Sequence, residues 1–391
     1  MKKGGSIFIL LLLTLHFIAQ DEVVIRIGLF DNSIIRSAQV TLNNGQYALQ
    51  NGNTVLAQVS RNSTYAFSPA GQEVMVSRNG VKLGTYKRVV LASKEWESSL
   101  RVKARFSTGR EKTNLYPDNL VITSKSGFLV LVNEADIERY VAGVTEAESG
   151  KGHSIEYYKV QSVISRTYAL ANMDRHSSKG FNVCDQVHCQ AYHGISRWDE
   201  NILIGTFETK DHVLVNSKID LITAAFHSNC GGHTLNSEHV WRKPLTYLVG
   251  RPDTFCMAMP HSHWEKTVSK KSWLNYMKKD FPLDSAEDSL AVMAFFPESK
   301  TRYFSDSLHN LKMTKMRSDW KLRSAFFTIH EYQDSIQIVG RGFGHGVGLC
   351  QEGAMRMSQL GYPAHDILHF YYKDVHLIDR RQINFFREDF D

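Results

Sequence analysis

The segment GVTEAESG, Gly143 to Gly150, sets two glutamates one residue apart. On a helix advancing about 100° per residue, Ile137, Tyr140, Val141, Val144 and Glu148 share one face, and Glu146 falls roughly opposite. A carboxyl held against apolar groups loses hydration of its charged form, so its pKa rises. That is what a general acid working near neutral pH requires. The same phase assigns Glu146 to solvent. The ordinary alternative for Glu148 is a helix-end glutamate that caps a neighbouring helix or pairs with an arginine.

A second set of chemistry-bearing residues lies downstream. Cys184 and Cys189, with His176, His188 and His193 nearby, have the types and spacing of zinc ligands, and equally of a local disulfide in an oxidising compartment. Cys230 and Cys256 form a candidate disulfide, which leaves Cys350 as the odd thiol. The His261-x-His263 pair is read as chance. The run GRGFGHGVG, Gly340 to Gly348, follows a strand-like stretch and lets backbone approach a ligand closely. It lacks the Gly-x-Gly-x-x-Gly spacing and the later ribose-binding acid of a dinucleotide site. His345 within it has three readings: a hydrogen bond to a ligand, a contact that orients Glu148, or a structural bond to backbone.

These residues need elements to hold them. From Val23 to about Leu131 short alternating runs are broken by Asn44-Gly45, Asn51-Gly52 and Asn79-Gly80, which mark tight hairpins and predict a β-rich N-terminal region over 21–130. At Asn133 the pattern changes. NEADIERYVAGV offers an Asn cap followed by first-turn acids, so a helix is expected there. A second helix is expected from Ser154 to about Arg175, with Val160, Val163, Ile164, Thr167 and Ala171 as its apolar stripe. Ser177 to Gly194 reads as a loop. DHVLVN and DLITAAFHS read as strands, and Trp273 to Phe281 as an amphipathic helix. AFFTIHEYQDSIQIVG reads as strand, turn and strand, with final helices over Gln351–Leu360 and Ala364–Tyr372. The fold class is therefore α+β, a β-rich region followed by a mixed α/β domain over 131–380 with a Gly-rich cleft loop.

Three blocks, YVAGVTEAES, YKVQSVISRTYAL and GRGFGHGVGLCQEGAMRM, resemble in order the signature blocks of the SpoIID/LytB family. The resemblance extends over about Val132 to Ile378. It implies an exported lytic transglycosylase that cuts the glycan strands of peptidoglycan, with Glu148 as the catalytic residue. It also places Gln161, Arg166, Thr167 and Tyr168 in the helix block, and His345, Gly346, Gly348, Gln351 and Gly353 in the Gly-His-Gly block. AFHSNCGGHT matches a further family segment, which puts His227, Ser228, Gly232 and Thr234 near the cleft. Sugar contacts are accordingly expected from Gln161, Arg166, Tyr168, Tyr192, His227, Ser228, His345 and Gln351, although Arg166 also reads as a buttress paired with a carboxylate. CDQVHCQAYHG resembles a family loop that binds zinc in some members, with Cys184, Cys189, His176 and His188 as ligands. The metal would be structural, and the proposed chemistry requires no cofactor. Ser149, Glu146 and Cys350 depart from the residues usual at those positions.

The reaction so implied needs one carboxyl group. It protonates the leaving oxygen, then takes the proton of the MurNAc 6-hydroxyl as that oxygen attacks C1, leaving a 1,6-anhydro ring. Peptide-stripped strands are a candidate substrate. The alternative is a non-catalytic wall-binding protein or amidase enhancer, with a cell-wall amidase as partner. A zinc hydrolase is a third reading, and no His-Glu-x-x-His motif supports it.

Composition sets outer limits. The formal charge of +6 is spread along the chain, with no basic stripe interleaved with aromatics, which excludes a nucleic-acid partner. Residues 1–20 carry a positive start and an apolar run too short to span a bilayer comfortably, so they read as an export signal. The expected location is the periplasm or cell envelope, with membrane contact only through that segment if it stays uncleaved.

Overall fold

The computed structural model describes residues 22–196, 199–241, 243–304 and 311–388. The expected export signal lies outside them. Among the described residues no helix is long and apolar enough to cross a membrane.

The alternating N-terminal runs supply twelve strands of a thirteen-stranded sheet. The turn residues explain its hairpins. Arg78 pairs with Val81 across Asn79-Gly80, both at positive φ, and Asn51 pairs with Thr54 across a turn containing Gly52. Asn44-Gly45 behaves differently. The strands on either side of it, Ile35–Asn44 and Tyr47–Asn51, pair with other partners, so this turn changes direction without closing a hairpin. The sheet runs on to the strand Phe128–Asp136, which pairs antiparallel with Asn119–Lys125 and with Val24–Leu29. Val24–Leu29 also pairs in parallel with Val183–Cys184, which brings the cysteine loop onto the sheet.

The helices follow in chain order: α1 Ile137–Ser149, α2 Ile155–Ala171, α3 Glu200–Glu208, α4 Lys270–Met277, α5 Ala286–Ala291, α6 Met313–Asp319, α7 Gln351–Gln359, α8 Ala364–Tyr371 and α9 Ile383–Glu388. The cap of α1 is Asp136, not Asn133. Its Oδ1 accepts from the Glu138 and Arg139 amides at 2.9 and 3.2 Å. Asn133 stays in the strand Phe128–Asp136, with its side-chain amide committed to the Pro117 and Asn119 carbonyls. The α2 stripe is buried through Thr167, but Ala171 is exposed because the helix ends there. Much of DLITAAFHS is irregular, with only Phe226–His227 forming a strand, in parallel with Leu349–Cys350.

Three larger cores organise the chain. The first joins the sheet to Ile137, Tyr140, Val141 and Val144 of α1, so the N-terminal strands and the first helix share one interior. The second packs α2, α7 and α8 together. The third lies between α4 and the three-stranded sheet made by His263–Ser269, Phe327–Tyr332 and Ser335–Arg341.

Candidate functional site

Helix α1 is regular through Glu148 despite Gly143. That glycine is required by packing: a Cβ there would lie 2.1 Å from the Gly194 carbonyl. The loop 191–194 therefore lies directly against the helix. Its Ala191 amide donates to Glu148 Oε1 at 2.7 Å. Burial raises the Glu148 pKa, and the Ala191 hydrogen bond offsets part of that rise. Glu146 is aimed elsewhere. It accepts from the Ser196 hydroxyl at 3.0 Å and lines a different concavity with Lys112, Asn114 and His193. The two acids thus serve separate surfaces, as helical phase requires, though Glu146 is only half-exposed.

Glu148 lines a cavity of about 580 Å³ together with Tyr168, His227, Ser228, His345 and Gln351. The histidines are fixed by backbone. His227 donates from Nδ1 to the Val347 carbonyl at 3.1 Å, and its buried Nε2 has no protein partner. His345 accepts at Nδ1 from the Val347 amide at 3.1 Å, and the Phe226 carbonyl also bonds the ring. His345 is thus bonded to backbone, and the buried ring nitrogen without a protein partner belongs to His227. Burial pushes His345 down to about 4 and His227 well below its usual value, so both rings are neutral near pH 7. Gly344 makes this pairing of loops feasible: its φ is +116°, and a Cβ would meet that of His227 at 2.7 Å.

Other expected contacts lie behind the wall. Arg166 is wholly buried, and its guanidinium forks onto Glu138 (Nε to Oε1 2.9 Å) while donating to the His212 and Thr206 carbonyls. It ties α1 to α2 and is not available to a substrate; only the buttress reading fits. Gln161 is also fully buried and reaches the cavity only through Gln351, whose Nε2 lies 3.3 Å from its Oε1. Tyr192 is packed on Tyr140 and Tyr116 at centroid distances of 5.1 and 6.0 Å, with its hydroxyl on Asn133. Buried aromatic packing, not sugar contact, is its role. Gly232 and Thr234 fall in a neighbouring concavity with His233 and Lys300.

Arg317 of α6, Trp241 and Phe343 also line the cavity and were not singled out by sequence. A lone arginine in a polar stretch gives no local signal, since only the fold brings α6 to Glu148. Among the described residues no carboxylate forms a salt bridge with Arg317.

The cysteine loop meets the same cavity through His188 and Cys189. The ligand atoms of His176, Cys184, His188 and Cys189 all lie within 4.8 Å of one another. His176 Nε2 is 3.3 Å from the Cys189 sulfur, and His188 Nδ1 is 3.9 and 3.7 Å from the two sulfurs. Two thiols and two imidazoles suit tetrahedral zinc, and the residues present fit that ion. His193 is not part of this group; it lies beside Glu146. The disulfide expected between Cys230 and Cys256 is not formed: their sulfurs lie 3.4 Å apart as free thiols, and Cys350 joins them and does not stand apart.

Residues 125–216 match the family profile of the Stage II sporulation protein, SpoIID. This match and the relatives named Stage II sporulation protein D support membership of the SpoIID family. The matched segment holds Glu148, α2 and the cysteine loop, while His227, His345 and Gln351 lie beyond it. An uncharacterized protein of Brachyspira hyodysenteriae is 27% identical over 76% of this chain and 87% of its own. The Stage II sporulation protein D of Bacillus subtilis is 27% identical over 63% of this chain and 75% of its own. The amidase enhancer of the same organism is 27% identical over 59% of this chain but only 39% of its own length.

Proposed function

We propose that this protein is an exported lytic transglycosylase that cleaves MurNAc–GlcNAc bonds of peptidoglycan. The match to the SpoIID family profile and the names of the relatives support a cell-wall role. The observation that carries the reading is the setting of Glu148: a partly buried carboxyl with raised pKa, the only carboxylate among the described residues lining its cavity. Two-carboxylate glycosidases flank the bond with a pair of acids. Here one acid serves twice. Protonated Glu148 gives its proton to the glycosidic oxygen as the C1–O bond breaks. The carboxylate then accepts the proton of the MurNAc 6-hydroxyl, whose oxygen bonds to C1 and closes the anhydro ring. No water is consumed.

The remaining residues bind and orient. The Ala191 amide fixes the Glu148 carboxyl, and His227 Nε2 offers a lone pair to a sugar hydroxyl. Phe343, Gly344 and His345 of the Gly-rich loop line the same cavity as Glu148. Arg317 is placed to meet an anion, and the lactyl group of MurNAc bears a free carboxylate once its peptide is removed. That supports peptide-stripped strands as substrate. A zinc ion held by His176, Cys184, His188 and Cys189 would stiffen the loop that presents Ala191.

The competing reading is wall binding without cleavage, in support of an amidase. Product masses from intact and amidase-stripped glycan separate the two. Anhydro-ended products that fall roughly 10²–10⁴-fold in Glu148→Gln and persist in Glu146→Gln support the enzyme. Reducing ends would mean hydrolysis, and binding without cleavage would mean the non-catalytic role.

A further inference from the structure

Below the cleft, Cys230, Cys256, Cys350 and Asp253 bring three sulfurs and a carboxylate together, with all four ligand atoms within 4.8 Å of one another. All four residues are at most 1% exposed. The Cys230 sulfur is 3.4 Å from that of Cys256 and 3.3 Å from Asp253 Oδ2. We propose that these residues form a second metal site, a Cys3Asp centre for a thiophilic divalent cation such as zinc.

The geometry favours a metal over the disulfide expected from sequence. Four ligands at about 2.3 Å around a tetrahedral zinc place sulfurs about 3.8 Å apart. The observed spacing needs only small shifts to reach that arrangement. A Cys230–Cys256 disulfide would draw two sulfurs to about 2.05 Å and leave Cys350 and the Asp253 carboxylate buried beside it without a cation. The surroundings are those of a ligand shell. Tyr371 donates its hydroxyl to Asp253 Oδ2 at 2.9 Å, the Phe255 amide donates to Oδ1 at 3.1 Å, and the Cys230 amide donates to the Cys350 sulfur at 3.2 Å. The odd cysteine count is also resolved: two thiols belong to the histidine-containing cluster and three to this one.

The site would act on position. Cys350 directly precedes Gln351 and pairs with His227 in the short parallel ladder, and Cys230 follows His227 by three residues. A metal would clamp the segments that carry His227 and Gln351 to the turn holding Asp253 and Cys256. This holds whatever reaction Glu148 performs.

The test is metal content of the purified full chain, loaded with zinc chloride and desalted. Cys350→Ser is expected to lower zinc by one equivalent per chain relative to wild type. The Cys184→Ser/Cys189→Ser double variant is expected to keep one equivalent. In the double variant, cobalt substituted for that ion should show thiolate charge-transfer absorption. If Cys350→Ser does not fold, the wild-type chain still decides: alkylation after denaturation without reductant should find free thiols at Cys230, Cys256 and Cys350. An unchanged zinc content in folded Cys350→Ser, or a mapped Cys230–Cys256 disulfide in wild type, would overturn the proposal.

Discussion

At the residue scale, Glu148 was legible because helical phase and burial are the same fact seen twice. Its neighbours on the apolar face are core residues, so the carboxyl at the end of that face is partly desolvated. The sign of the consequence for stability is definite. The folded pKa lies above the ordinary value of 4.5, so the native state holds a proton that the unfolded chain has released. Stability falls as pH rises from about 4.5 through the raised pKa. Glu148→Gln keeps an acceptor for the Ala191 amide and removes that penalty. The variant should therefore unfold at higher urea concentration than wild type at pH 7, with the difference vanishing below pH 4.5. His345 acts in the opposite direction. With a folded pKa of about 4 against 6.5 unfolded, its stabilising share is present above pH 6.5 and is lost as pH falls toward 4. The slope for one such group is about 1.4 kcal/mol per pH unit. His345→Gln should flatten the urea-unfolding free energy over that range.

At the element scale, capping and packing decided what sequence spacing left open. Zinc-like spacing over Cys184–Cys189 was readable within one loop, and that loop's docking follows from the parallel pairing of Val183–Cys184 with the sheet. The buttress role of Arg166 was readable but its partner was not, because Glu138 lies 28 positions away on another helix. Arg317 was not readable, because it reaches the cavity only through the third core. The Asn133 cap was misplaced for a different reason: Asn133 and Asp136 are both good caps, and the sheet claims the first. The Arg166–Glu138 pair fastens α1 to α2, and α1 carries Glu148. Removing one partner leaves a buried, uncompensated charge, which typically costs about 3–5 kcal/mol. Arg166→Met should show that loss in chemical denaturation, and the Glu138→Gln/Arg166→Met double variant should recover much of it. A loss of substrate affinity in Arg166→Met at unchanged stability would contradict the buttress role.

At the scale of the whole molecule, α1, α2, α6, α7 and the segments 187–189, 223–228 and 343–345 converge on one cavity. Alternation and turn residues made the sheet legible before any coordinates, but its continuity with α1 is a property of shared burial that no local pattern carries. The cavity is assembled from segments between Glu148 and Gln351, so its walls include residues with no sequence signal of their own. In the proposed reaction Glu148 is the sole acid of a water-free cleavage. The most direct measurement is product mass after digestion of amidase-stripped glycan by wild type, Glu148→Gln and Glu146→Gln. Anhydro ends from wild type and Glu146→Gln, reduced roughly 10²–10⁴-fold in Glu148→Gln, are the predicted result. Reducing ends, or anhydro products undiminished in Glu148→Gln, would contradict it.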